Sequence, residues 1–428
     1  MLLSIPKNKS LYLAGELKIR VLDGDLEIFG TLYKKGDEIV IPRYRSAPAK
    51  ALSVVGLEIK FGEEGHISEH DFDLIPQEWR ILAENILNTN KKQQVIMVIG
   101  NVDVGKTGLI TFLANKAINV GKKVLIIDAD TGQSDIGPPT TIGLGIPEHP
   151  IIHLSQVRFL DAFFVGATTP AGIFNRSIAG IIKLINFAKK EDPDIIFIDT
   201  TGWVEDRGGR ELKISKIHAV WPDLIVLIEK EIGELNHIYK PFQNTDLEFV
   251  RVPAAPILRS RTRAERRKIR KSIYEKEFKA GKEVVLELEK LGVTYGFFGT
   301  GSKPKEETVN AVKFIIGRDP GYFEESEDAL IFVDNSLSPR EIESLKRYLG
   351  KREIVIINRD EIKYLLVAFE DKNEHFLGLG TLLDLDPIEK KIKVFTNVDP
   401  SKIATISFGY LKVNPLGEEI GWLTPWVL

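Results

Sequence analysis

The chain has no cysteine and only two methionines among 428 residues. The absence of cysteine excludes disulfides, thiolate nucleophiles and thiolate metal sites, and fits a reducing compartment or a hot one. Few glutamines and abundant lysine, glutamate and isoleucine lean toward a thermophile. No run of 18 apolar residues occurs, so no transmembrane helix and no membrane partner are expected. Met1 to Ser10 lacks a signal-peptide pattern, so a cytoplasmic protein is expected. Neither sign of charge dominates: the formal net charge is −3, which confines any nucleic-acid contact to a local patch. No repeat at a solenoid period and no low-complexity tract is present. What remains has the composition of a soluble globular protein, long enough for two or three domains.

One stretch organises the rest. Gly100-Asn101-Val102-Asp103-Val104-Gly105-Lys106-Thr107, with Gly108 after it, fits the phosphate-binding pattern G-x-x-x-x-G-K-[ST]. Val95 to Ile99 before it is a continuous apolar, β-branched run that reads as a buried strand. After it, Leu109, Ile110, Leu113, Ala114 and Ala117 fall at helical spacing. A strand, a glycine loop and a helix start point backbone N–H groups inward onto a polyphosphate, aided by the helix N-terminus. Lys106 would reach the β- and γ-phosphates, and the Thr107 hydroxyl a magnesium ion.

Residues 1–75 read as a β-sandwich-like domain. Leu17 to Leu22 and Asp25 to Phe29 flank Asp23-Gly24, a hairpin signal. A basic, proline-containing stretch, Pro42 to Lys50, separates further short strands, and the chemistry of this domain is not legible. A helix is expected from Ile75 to about Asn90. Residues 76–300 then alternate apolar strands (Lys123 to Asp128, Phe163 to Val165, Asp194 to Asp199, Asp223 to Ile228) with helices. That alternation predicts a doubly wound parallel sheet covered on both faces, an α/β core. From residue 301 to 428 a β-rich α+β domain is expected, with a capping box at Ser338-Pro-Arg-Glu341.

The strand ends carry the chemistry. Asp128-Ala-Asp130-Thr-Gly132-Gln133 places two carboxylates at i and i+2, one suited to a magnesium shell and one to a base. Asp199-Thr200-Thr201-Gly202-Trp203 and Gly166-Ala-Thr168-Thr169-Pro170 put hydroxyls at the same sheet edge, where ligands of such folds bind. Trp203 also suits stacking on a base. Between residues 259 and 271 stand eight cations against one acid. Arg263, Arg266, Arg267 and Arg270 there share a helical face, a costly crowding of like charge that makes sense against phosphates.

In this order these elements resemble one family: the polynucleotide 5′-hydroxyl kinases related to the ATP-binding RNA kinase of the mRNA 3′-end cleavage and tRNA-splicing machinery. The resemblance runs from the phosphate loop through D-x-D-x-G-Q, Gly166 to Pro170 and T-x-G-W with Gly208-Gly209. It ends at the lid pattern Arg261-Thr262-x-x-x-Arg266-x-x-x-Arg270. It implies ATP- and Mg²⁺-dependent transfer of the γ-phosphate to the 5′-OH of single-stranded RNA, with DNA also open, and a β domain, kinase core and C-terminal domain in series. Carried over residue by residue, Lys106 and Thr107 hold phosphates and metal, with Asp128 and Gln133 on the metal shell. Asp130 activates the 5′-OH, though the two aspartates could exchange roles. Thr168, Thr169, Thr200, Gly202 and Trp203 position the acceptor, while Arg266 and Arg270 neutralise transition-state charge.

Three other readings compete. A GTPase needs an N-K-x-D guanine reader downstream, and Asn115-Lys116-Ala-Ile118 lacks the aspartate. A partner-switching ATPase needs an early loop lysine where Asn101 stands. An ATP-bound scaffold without catalysis would keep every motif, and substrate-dependent ATP turnover separates it from the kinase.

Overall fold

The computed structural model describes residues 1–423 apart from Asn90, Leu258 and Arg352. It divides into two compact units. The first comprises residues 1–137, 141–163 and 174–266, and the second residues 138–140, 164–173 and 267–428.

In the first unit, residues 1–70 form a four-stranded and a five-stranded sheet. Strands such as Leu17–Asp23 alternate buried and exposed side chains, as half-buried strands must. The expected hairpin at Asp23-Gly24 does not form. Leu17–Asp23 pairs within one sheet, whereas Leu26–Ile28 pairs within the other. Gly24 turns the corner between them at φ +81°, with the Val54 carbonyl where a Cβ would stand, and Ser53 Oγ accepts from the Asp25 N–H. A remote loop therefore shapes a turn that looked local.

The helix expected from Ile75 runs Gln77–Leu87; Asn90, its expected end, lies outside the described residues. The central sheet has seven strands, ordered 158–164, 141–146, 124–129, 195–200, 94–100, 224–229 and 248–253. Gln94–Gly100, Val124–Ala129, Ile195–Thr200 and Leu224–Glu229 are buried along their length and pair in parallel, the pattern of a sheet covered on both faces. One strand departs from the expectation: Thr141–Ile146 pairs antiparallel to Val124–Ala129. Its glycines hid it from a search for apolar runs. A Cβ at Gly143 would fall 1.7 Å from the Ile136 carbonyl oxygen, so close chain passage demands glycine.

The two N-terminal sheets, the helix Lys106–Asn119 and the central strands share one hydrophobic cluster. Asn115 staples them. Its buried amide donates to the carbonyls of Phe29 and Ile151 and accepts from the Ile151 N–H, so it is a structural residue.

The second unit contains a sheet ordered 282–287, 391–396, 376–386, 365–370, 405–413 and 292–294, with 419–422 added to 405–413, plus a three-stranded sheet. Two of these strands precede residue 301, the expected start of the C-terminal domain. Ser338 forms the expected capping box with Glu341 on the helix Pro339–Leu349. Among the described residues no helix is long and apolar enough to cross a membrane.

Candidate active site

The phosphate loop leaves the strand Gln94–Gly100 and enters the helix Lys106–Asn119. Gly105 supplies the left-handed turn at φ +97° that starts the helix. Asp103 is also left-handed, at φ +54°. Its carboxylate accepts from Ser260 Oγ at 2.7 Å and stands 3.7 Å from Arg266 Nη2. Lys106 is 8% exposed and donates to the Asn101 carbonyl at 2.7 Å. Burial pulls its pKa down, against the fields of Asp199, Asp130 and Asp103.

Thr107 Oγ1 donates to Asp199 Oδ2 at 2.6 Å. The other oxygen, Asp199 Oδ1, is buried with no hydrogen-bond partner among the described residues. An unpartnered buried carboxylate oxygen beside the loop threonine has the chemistry of a hard-cation ligand. Asp128 is placed differently. Its Oδ2 accepts the N–H groups of Asp135 and Ile136, and its Oδ1 that of Asp130. Burial, then the neighbouring Asp199 and Asp135, raise its pKa well above the carboxylate range. Asp130 caps its own turn through Oδ1, which accepts from Gly132 and Gln133, and no described hydrogen bond reaches Oδ2. Gln133 Oε1 accepts from Arg261 Nη1 at 3.3 Å.

The T-T-G-W turn meets the phosphate loop directly. A Cβ on Gly202 would lie 2.7–2.9 Å from Val102, including its backbone N and Cα. Trp203 donates its indole N–H to Asp206 at 3.0 Å and sits edge-on to Phe174. A Cβ at Gly208 or Gly209 would strike the indole at 2.6 or 3.0 Å, which accounts for the Gly-Gly pair. Thr200 departs from the expected acceptor role: it is fully buried and spends its hydroxyl on the Val98 carbonyl. Thr201 is held by Lys213, whose ammonium donates to its carbonyl and hydroxyl at 2.5 and 3.1 Å.

Lys213 and Lys216 escaped sequence reasoning. Both are fully buried on the helix Asp206–Val220. Burial pushes Lys213 well below its ordinary pKa and Lys216 to about 8, with Asp130 pulling upward in both cases. Their signal was present, since lysines flanking the buried Leu212 and Ile217 fall on the apolar face of that helix.

The arginine face divides. Arg266 belongs to the first unit, and its buried Nε has no hydrogen-bond partner among the described residues. Arg270, in the second unit, is spent on a two-point pair with Glu419, and Arg267 on the Glu419 carbonyl. The helix Arg263–Glu277 carries all four arginines of the expected face, and an acidic strand residue far along the chain engages two of them. Thr168 and Thr169 also lie in the second unit. There the Tyr410 N–H donates to the Gly166 carbonyl and the Ala171 N–H to Thr169 Oγ1.

Beside the phosphate loop lies a cavity of about 490 Å³ lined by Asp103, Lys230, Ser260 and the turn Pro253 to Pro256. Its size is that of a small-molecule site.

Residues 100–280 match the family described as "mRNA cleavage and polyadenylation factor CLP1 P-loop". A polyribonucleotide 5′-hydroxyl-kinase of Pyrococcus furiosus is 35% identical over 358 residues, covering 82% of this chain and 96% of that protein. One of Methanocaldococcus jannaschii is 31% identical over 352 residues, covering 82% and 95%. Among solved structures, the wild-type Clp1p–Pcf11p (454–563) complex aligns over 96% of this chain and 97% of its own, with a TM-score of 0.65 at 14% identity, a likeness of fold.

Proposed function

Because this chain belongs to the polyribonucleotide 5′-hydroxyl-kinase family, we propose that it transfers the γ-phosphate of ATP to the 5′-hydroxyl of a polynucleotide, with RNA as its main substrate and DNA accepted. A cytoplasmic role in RNA processing is part of the same proposal. The observation that carries the reading is the seating of Gly202 on Val102. The turn assigned to the acceptor rests on the loop assigned to the donor, with Asp130 on the neighbouring strand end.

Phosphoryl transfer asks a protein for positioning and charge stabilisation more than for covalent chemistry. Gly100 to Gly108 would cradle the triphosphate, with Lys106 leaving the Asn101 carbonyl for the β- and γ-oxygens. The nucleoside would occupy the cavity beside Asp103. Asp130 would accept the 5′-OH proton at Oδ2, the oxygen its turn leaves open. Asp128, bonded to three backbone N–H groups, would fix that turn. Gly202 and Trp203 would orient the acceptor, and Arg266, whose Nε is without a partner among the described residues, would turn from Asp103 to the transferring group. Arg270 would anchor the far end of the lid through Glu419.

Thr107 and Asp199 would hold Mg²⁺, since Asp199 keeps a buried oxygen unsatisfied. Among the described residues no cluster of three or more His, Cys, Asp or Glu side chains could hold a metal, so phosphates and water would complete the shell. When bound, the ion would neutralise charge developing on the transferring group.

The test is transfer of labelled γ-phosphate from ATP to single-stranded 5′-OH RNA and DNA oligonucleotides, with Lys106→Ala as control. Labelled RNA from the wild type alone supports the reading. Tight ATP binding with no label on either oligonucleotide would replace it with an ATP-bound scaffold.

A further inference from the structure

The turn Pro42 to Arg45 in the N-terminal β region has no role in the reading above, yet it reaches the centre of the site. Tyr44 is left-handed, at φ +63°, and the Arg45 N–H closes the turn on the Pro42 carbonyl. The Arg45 guanidinium forms a two-point pair with both oxygens of Asp135, and the two side chains are only 13% and 7% exposed. Asp135 follows the D-x-D-x-G-Q turn, and its N–H, with that of Ile136, binds Asp128 Oδ2 at 2.6 and 3.2 Å. The same turn grips the root of the lid. The Tyr44 carbonyl accepts from Arg261 Nε, Arg261 reaches Gln133, and the Tyr44 ring faces the Arg259 guanidinium at 5.7 Å.

From this geometry we propose that Arg45 is a positioning residue for phosphoryl transfer, clamping Asp135 so that the Asp128–Asp130 turn is presented to the acceptor hydroxyl. The proposal rests on the kinase reading and deepens it, making the N-terminal β region part of the catalytic centre. The two-point geometry matters. A guanidinium matches both carboxylate oxygens at once, whereas an ammonium meets them as a point charge. Burial alone would raise the Asp135 carboxyl, but Arg45 holds it below its ordinary value, so the pair stays ionic. The N–H donors of Asp135 and Ile136 can fix Asp128 only while their segment is held. A displacement of about 1 Å at a reacting group costs on the order of 100-fold in rate.

The experiment uses the full chain with Arg45→Met, Arg45→Lys and Asp135→Asn, and Arg43→Met as a control from the same turn. For each, kcat and KM are measured for both substrates, alongside the unfolding midpoint and amide exchange at Asp135 and Ile136. Arg45→Met should lower kcat by about 100-fold with KM for ATP within twofold, and should speed exchange at both amides. Arg45→Lys should stay folded and recover part of the rate. Arg45→Met combined with Asp135→Asn should lose no more than the worse single variant, and Arg43→Met should keep the wild-type kcat. A wild-type kcat in folded Arg45→Met or Arg45→Lys would overturn the proposal, as would a loss confined to KM or to the unfolding midpoint. Absence of transfer by the wild type itself would overturn the kinase reading along with it, a result distinguishable from either of those.

Discussion

Replacing Gly202 with alanine adds one carbon at the junction of the two loops that must cooperate. The Cβ would stand 2.7 Å from Val102 Cγ2, 2.8 Å from its Cα and 2.9 Å from its N. A valine methyl can rotate aside, but the other two atoms are backbone. Restoring ordinary contact at about 3.4 Å therefore means parting the loops by roughly 0.5–0.6 Å. The φ of Gly202 is not in the left-handed region, so the cost comes from contact and not from conformation. Overpacking of this kind costs about 1–3 kcal/mol of stability. The larger effect should be on rate: with about 100-fold lost per 1 Å of misplacement, the shift predicts roughly 10- to 15-fold. Single-turnover transfer of labelled phosphate to 5′-OH RNA would measure it, with ATP affinity measured in parallel and expected to change less than threefold. Gly56→Ala, where the nearest atoms stand 3.6–4.0 Å from the new Cβ, is the control and should behave as wild type. A Gly202→Ala rate within twofold of wild type would refute the idea that this contact sets the acceptor against the donor.

Other outcomes follow from the same geometry. Arg266→Ala should reduce turnover more than ATP binding, because its buried Nε is unpaired; equal loss in both, measured by kinetics and calorimetry, would make it a ground-state contact. Lys213→Met should destabilise the protein by about 1–3 kcal/mol in a denaturant titration, since it strands the buried Thr201 carbonyl; an unchanged midpoint would show that the carbonyl finds another donor. His153 should titrate near 4 by NMR, depressed first by burial and then by Arg45. A depressed folded pKa gives stability that is present above the unfolded value of 6.5 and lost as pH falls through about 4. The unfolding midpoint should thus fall between pH 6.5 and 4, less steeply in His153→Gln, and identical curves would contradict this.

Much of the core was legible because its grammar is local. The apolar strand, the loop with glycine at 100 and 105, and the helix face of Leu109, Ile110 and Leu113 lie within a short window, and each enforces the next. The same holds for the capping box at Ser338. What the sequence concealed depends on partners far along the chain. Arg45 meets Asp135 across 90 positions, and Arg270 meets Glu419 across 149, so no local pattern could pair them. Gly24 makes a sound turn but joins two sheets instead of two hairpin strands, because the Val54 carbonyl closes on it. Thr-Thr at 200–201 read as two hydroxyls at the ligand edge of the sheet. The β pleat instead turned Thr200 into the sheet, and Lys213 claimed Thr201. Asp128 and Gln133, expected on a metal shell, accept instead from backbone N–H groups and from Arg261, whereas Asp199 Oδ1 is left without a partner among the described residues.

The central claim is that this site moves phosphate from ATP to the 5′ end of RNA through Lys106 and Asp130. Its most direct test is the rate of labelled γ-phosphate transfer to a 5′-OH RNA oligonucleotide by wild type, Lys106→Ala and Asp130→Asn, all shown to be folded. The account predicts labelled RNA from the wild type and background from both variants. A wild-type rate in either variant would contradict it.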